Sequence, residues 1–221
     1  MTATLGLPFD GILLAGLFGL AYGAFSWSIA EYVLHRFFMH QLWGKGIASR
    51  EHLMHHAGNN DRNTATILSW VGVVLVGFGI VAPIAAGLAS LVALPWQPAL
   101  LAAPAWIASY GLYDWLHWRA HHRYPGSSYE RWLRHHHFHH HFGHPLENHG
   151  VTSHVWDKVF GTYAEPGTTK VPRRLAMVWL TDDDGAVRSE FEGDYVLAGS
   201  SLTPRLDEDH DRAFKNLAPT A

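Results

Sequence analysis

The stretch Glu31-Tyr-Val-Leu-His-Arg-Phe-Phe-Met-His40 begins where a long apolar run is ending. From Phe9 to Leu34 the residues are almost all apolar or small, with Asp10 at the start and Glu31 near the end. Such a run exceeds the roughly 20 residues that a helix needs to cross a bilayer. The stretch therefore puts two histidines, His35 and His40, at the mouth of a membrane span. A second apolar block runs from Thr64 to Leu94 and a third from Pro98 to Leu116, with no charged residue between Thr64 and Asp114. A water-exposed helix would carry a polar stripe, and these blocks carry none. They read as a helical hairpin that turns between Pro83 and Gln97. Spans are expected at about 9–34, 64–83 and 98–118.

The loops orient the spans. Arg36, Lys45, Arg50 and Arg62 follow the first block, and Arg119, Arg123, Arg131, Arg134 and Lys158 follow the third. The N-terminus and the hairpin turn carry no Lys or Arg, and no cationic leader of the cleavable kind opens the chain. The positive-inside rule places both basic segments on the cytoplasmic side, in a multi-pass protein with its N-terminus outside. Domain organisation is expected as a membrane domain over 1–164 and a polar, acidic C-terminal tail over 165–221. Within that tail Ala176–Leu180 alternates like a short strand, and Asp182-Asp183-Asp184-Gly185 reads as a turn.

Composition narrows the function. The 221 residues are 48% hydrophobic and 16% charged, with a net charge of -3, so a nucleic-acid partner, which calls for a basic field, is not expected. There is no cysteine, which excludes disulfides, thiolate zinc sites and Cys-held iron–sulfur clusters. Histidines number 18. They gather in four clusters, His35 with His40, His52-Leu-Met-His55-His56, His117 with His121, and His137 with His140 and His141. Residues i, i+3 and i+4 share a helix face, so His52, His55 and His56 should converge, as should His117 with His121, and His137 with His140 and His141. His35 and His40 lie about 140° apart on a regular helix and meet only if that helix end bends. Ten imidazoles are too many for one ion and suit two, at five or fewer nitrogens each. Neutral imidazole favours zinc, copper, iron or nickel over calcium and magnesium. All four clusters abut the spans on one face, so the metals would lie where cytosol meets lipid, within reach of a substrate with a hydrocarbon tail. His122, His135, His136, His139, His144, His149, His154 and His210 are read as outer-shell, surface or tail residues.

The chain resembles the fatty-acid hydroxylase / sterol desaturase superfamily of histidine-rich membrane oxygenases, and within it the fatty-acid 2-hydroxylases. The resemblance rests on Glu31–His40, on His52-Leu-Met-His-His56, and on Tyr113-Asp-Trp-Leu-His-Trp-Arg-Ala-His121. It continues through His137-Phe-His-His-His-Phe-Gly-His144 and Gly150-Val-Thr-Ser-His-Val-Trp-Asp-Lys-Val-Phe-Gly-Thr162. It implies an all-α integral membrane protein in which the spans form a stalk under a cytosolic helical cap that holds a dimetal site. The ligands it implies are His35, His40, His52, His55, His56, His117, His121, His137, His140 and His141. The metals would be two irons, with zinc possible in purified protein, and O2 the co-substrate. A separate reductase or small haem protein would supply electrons, since nothing like the fused haem domain of many eukaryotic members is seen. Asp114, three residues before His117, is expected to orient a ligand from the second shell; Glu31, four before His35, has the same expected role, whereas Asp157 is expected to cap or pair locally. The chain departs from the pattern in Ala57-Gly58-Asn59-Asn60-Asp61, where that branch often has Pro, and in having one span before the first cluster. Its compact size suggests a bacterial inner-membrane member.

The reaction expected is O2-dependent hydroxylation of a C–H bond in a fatty acyl or sphingolipid-type substrate. The first half also resembles carotenoid ring hydroxylases, so a carotenoid or sterol hydroxylase or desaturase is the nearest alternative. A zinc protein with a hydrolytic or metal-handling role is the other. It lacks HExxH and any histidine or carboxylate path through the spans.

Overall fold

The computed structural model describes residues 9–58 and 66–199. The start of the second block at Thr64, the Asn59-Asn60-Asp61 departure and His210 lie outside them. The described chain is mostly helical. It divides into two compact units, one of residues 1–30 and 64–114, the other of residues 31–63 and 115–221.

The first unit contains the apolar part of α1 (Phe9–Val33), together with α3 (Ile67–Val76), α4 (Ala82–Leu91), α5 (Trp96–Ala99) and the first half of α6 (Ala102–His122). Two helices are long and apolar enough to cross a membrane among the described residues, Phe9–His40 and Ile67–Leu91. Only 28% of the most apolar stretch of each is buried, which sets them apart from core helices of a water-soluble protein. Ile67, Leu75 and Leu91 are largely exposed, an apolar surface suited to lipid.

Both helices run past the ends expected for their spans. The second continues through Pro83 to Leu91 instead of ending at the proline. A π-helical turn over Gly77–Val81 precedes the proline, which sits at the start of α4, where a missing N–H is tolerated. The chain then turns at Val92–Pro95, within the expected window. In the third block α6 runs from Ala102 to His122, apolar as far as Tyr113.

Small residues let backbones approach closely, as in membrane helix pairs. A Cβ on Gly19 would lie 2.6 Å from the Ala99 carbonyl oxygen, and one on Gly23 would lie 2.2 Å from that of Ala102. Around this contact Trp27, Trp106 and Tyr110 pack edge to face, with ring centroids 5.2 and 5.0 Å from Trp27. The Trp106 indole N–H donates to the Val73 carbonyl at 3.1 Å.

The second unit is built from the π-helical end of the first helix (Leu34–His40), α2 (Ile47–His56), the end of α6, α7 (Ser128–Phe138) with a π-helical extension (His139–Gly143), and α8 (Val155–Val159). It is not purely α. Strands β1 (Thr169–Pro172) and β2 (Tyr195–Ala198) pair in parallel, Thr169 opposite Tyr195. The expected strand at Ala176–Leu180 forms no ladder; Met177, Trp179 and Leu180 instead join Phe138, Val171, Phe191 and Tyr195 in a core. The acidic segment is therefore a folded part of this unit as far as residue 199. The expected turn closes as a loop in which Gly185 N–H donates to the Asp182 carbonyl at 3.1 Å. Arg134, wholly buried, ends α6 by donating to the carbonyls of Arg119 and Arg123 at 2.8 and 2.7 Å.

Gly23→Leu should force α1 away from Ala102 and lower stability by about 1–3 kcal/mol, the usual cost of overpacking. Gly72→Ala, with nothing within 4 Å of the added carbon, should change it by less than about 0.5 kcal/mol. Thermal unfolding of the detergent-solubilised protein checks both, and equal stability of the two variants would refute the close packing.

Candidate metal centre

The ten histidines singled out from sequence come together in the second unit as two groups of five. One is His35, His40, His52, His56 and His140; the other is His55, His117, His121, His137 and His141. Within each, one nitrogen per ring lies within 4.8 Å of the others. All ten are buried or nearly so.

Local backbone chooses the members. The π-helical turn at Leu34–His40 bonds residue i to i+5, as in Gln41 N–H to the Arg36 carbonyl at 3.2 Å. That geometry supplies the bend His35 and His40 required: their Nε2 atoms lie 3.3 Å apart. Each HxxHH motif splits instead of converging on one point. His52 and His56, one turn apart, face the first group, and His55, about 100° round the helix from His56, faces the second. The second motif divides the same way, His137 and His141 to the second group and His140 to the first. The rings of His56 and His141 stack at 4.0 Å, one from each group.

The first group fits a cation on its own geometry. Its Nε2 atoms lie 3.0 Å apart for His35 and His52, 2.9 Å for His40 and His52, and 3.0 Å for both His52–His56 and His40–His140. Neighbouring ligands about 2.1 Å from one ion and about 90° apart would be roughly 3 Å from each other. Direct hydrogen bonds cannot account for the cluster. His140 Nδ1 is 2.7 Å from the Glu147 carbonyl, and His35 Nδ1 pairs with the His149 carbonyl. A carbonyl only accepts, so both Nδ1 atoms carry the proton and both Nε2 atoms present lone pairs. A neutral His52 Nε2 carries at most one hydrogen for its three close neighbours, and a shared cation would relieve that shortfall.

The second group shows the same deficit. His121 and His137 have Nε2 atoms 3.0 Å apart, and both nitrogens of His55 and Nε2 of His141 are buried without a hydrogen-bond partner among the described residues. An unsatisfied buried polar atom costs about 1–3 kcal/mol. Burial holds the pKa values of His52, His55, His56, His137, His140 and His141 well below the usual imidazole range. At neutral pH these rings are uncharged, the form that binds metal.

The remaining residues take other places. Glu31 does not meet the His35 ring; its carboxylate accepts from Thr152 N–H at 2.7 Å and Thr152 Oγ1 at 2.6 Å. Asp157, fully buried, accepts from the backbone N–H groups of His149 and Gly150 and from Thr162 Oγ1, each at 2.8 Å. Asp114 lies three residues before His117 on α6 and is half-buried. His122 and His135 sit outside both groups, paired with the carbonyls of Trp118 at 2.9 Å and Gly167 at 3.0 Å. His139 pairs with the Glu147 carboxylate at 3.0 Å, and His144 is exposed. Sequence reading missed the carbonyls of Glu147 and His149, because a backbone acceptor leaves no mark on residue type.

A family model described as fatty acid hydroxylase matches residues 20–162. The chain is 32% identical over 174 residues to the dihydroceramide fatty acyl 2-hydroxylase FAH2 of Arabidopsis thaliana, covering 73% of this chain and 65% of that one. It is also 32% identical over 152 residues to the ceramide very long chain fatty acid hydroxylase SCS7 of Saccharomyces cerevisiae, covering 65% of this chain but 37% of the yeast protein. Among solved structures, full-length Scs7p with only its hydroxylase domain visible is similar at a TM-score of 0.52 and 30% identity, over 70% of this chain and 58% of that one. By the extent of the family match, this chain belongs to the fatty acid hydroxylase family.

Proposed function

We propose that this protein is a membrane-bound, O2-dependent lipid hydroxylase that inserts one oxygen atom into a C–H bond of a fatty acyl chain, of the kind carried by a ceramide. The observation that carries the reading is the pair of five-imidazole groups in a chain with two helices of membrane-crossing length. The similar plant and yeast proteins, named for fatty acyl hydroxylation of ceramides, support the substrate class.

His35, His40, His52, His56 and His140 would hold one metal, and His55, His117, His121, His137 and His141 the other. Two irons, when bound, would supply the redox chemistry that breaks an unactivated C–H bond, which no side-chain acid or base can do. The chain's own part is to keep ten imidazoles neutral and aimed inward in a dry pocket. Burial does the first, and the carbonyls of Glu147 and His149 do the second for His140 and His35. Asp114 is proposed to orient His117. The balance of the reaction, one oxygen atom to the lipid and one to water, takes two electrons and two protons, so a separate reductase or small haem protein is the proposed partner. The stalk-and-cap arrangement and a cytoplasmic site belong to this proposal, the latter supported by the basic loops after the first and third apolar blocks.

Cells expressing the protein should contain a hydroxylated lipid, by mass spectrometry, that disappears without O2. His55→Ala, His121→Ala and His140→Ala should each abolish that product and lower metal content, while His210→Ala changes neither. An unaltered lipid profile, or equal loss at His210, would overturn the reading.

Acid should unfold the metal-free protein early. The buried histidines have folded-state pKa values depressed below the unfolded value of about 6.5, so the unfolded state binds more protons as pH falls. Their contribution to stability is complete above about pH 6.5 and is lost progressively below it. The melting temperature of metal-free protein should drop between pH 7 and 5 and gain nothing from these groups above 7. A flat profile across that interval would contradict neutral burial.

A further inference from the structure

The groups just described account for ten histidines, yet the most completely buried carboxylate of the second unit touches none of the ten rings. Asp157 sits on α8 with its carboxylate out of water. Burial alone would raise its pKa, but its hydrogen bonds and its histidine neighbours hold it well below the usual carboxylate range. His136 Nε2 and His149 Nδ1 lie 3.6 and 3.7 Å from its oxygens. Its direct bonds, to the N–H groups of His149 and Gly150, clamp a short strap of backbone over residues 147–150.

That strap is over-determined. Asn148 takes a positive φ of 55°, and its side-chain amide both donates to the Ala164 carbonyl at 2.9 Å and accepts from the Ala164 N–H at 2.8 Å. A Cβ on Gly150 would lie 2.0 Å from the Ser153 carbonyl oxygen and 3.0 Å from Asp157 Oδ2. The two residues flanking Asn148, Glu147 and His149, supply the carbonyls that meet His140 and His35. Both rings belong to the first group and come from different helices far apart in the sequence.

We propose that Asp157 is a positioning residue for one metal only: it pins the Glu147–Gly150 strap so that two backbone carbonyls hold His35 and His140 with their Nε2 lone pairs facing inward. The proposal rests on the metal-centre reading above. Such outer partners typically contribute about 10- to 100-fold in metal affinity. In Asp157→Asn the side chain keeps its size, but its amide N–H2 faces a backbone N–H donor, so one clamp is lost. In Asn148→Gly the positive φ remains easy and the ties to Ala164 are lost.

The test is metal content per chain of the purified full-length holoenzyme, before and after dialysis against a chelator. Wild type should hold two metals. Asp157→Asn and Asn148→Gly should each release one of them at roughly 10- to 100-fold lower chelator concentration and keep the other at the wild-type level. Combined with His121→Ala, which disables the second group, Asp157→Asn should leave the chain metal-free at a chelator concentration that His121→Ala alone withstands with one metal bound. Combined with His40→Ala, which disables the first, it should retain the remaining metal. If a wild-type chain holds fewer than two metals, the metal-centre reading itself fails. If wild type holds two and Asp157→Asn keeps both at unchanged chelator resistance, only the positioning role fails. Loss of both metals together, with a lowered melting temperature of the metal-free protein, would reduce Asp157 to a structural residue. Should Asp157→Asn not fold, Asn148→Gly decides by the same measurements.

Discussion

Uncharged imidazole lone pairs, packed out of water about 3 Å apart and facing one another, are the constraint on which the second unit depends. Each would be costly alone, and five in one place repel unless a cation lies among them. That requirement explains why the ten rings are buried, why the chain surrounds them with other aromatic and apolar side chains, and why no carboxylate joins either group. An all-imidazole donor set brings no negative charge, so a bound cation keeps its full charge in a low-dielectric site. The buried carboxyl groups of Glu31 and Asp157 are held by backbone N–H groups and hydroxyls, where they shape the frame without entering either group.

Backbone irregularity does the aiming. Regular α-helix cannot bring residues five apart onto one line, and the π-helical turn at Leu34–His40 does so for His35 and His40. A second π-helical turn at His139–Gly143 carries His140 of the first group and His141 of the second. The HxxHH motifs serve a different purpose: adjacent histidines about 100° apart on one helix let a single element feed two neighbouring groups. Their placement on α2 and on α7 with its extension makes the two groups share walls, as the stacked rings of His56 and His141 show.

The first unit follows other physics. Between lipid-exposed helices there is little hydrophobic gain from association, so contact comes from close backbone approach at Gly19, Gly23, Ala99 and Ala102 and from the edge-to-face aromatic packing around Trp27. The helix that carries this contact continues without a break to His40, so one element both presents apolar surface and delivers two of the imidazoles.

Composition and spacing were enough to read the apolar helices and the gathering of ten histidines in four clusters, because hydropathy and ligand chemistry are properties of residue type. The sequence likewise carried the turn at Asp182–Gly185. Other features depended on long-range packing. Met177, Trp179 and Leu180 went to a core with Phe138 and Tyr195 instead of a strand ladder. That His35 and His40 meet in one group was decided by a π-helical turn that periodicity does not encode. The carbonyls that fix His35 and His140 were decided by the path of residues 147–150, since every residue carries a carbonyl and only the folded chain says where it points.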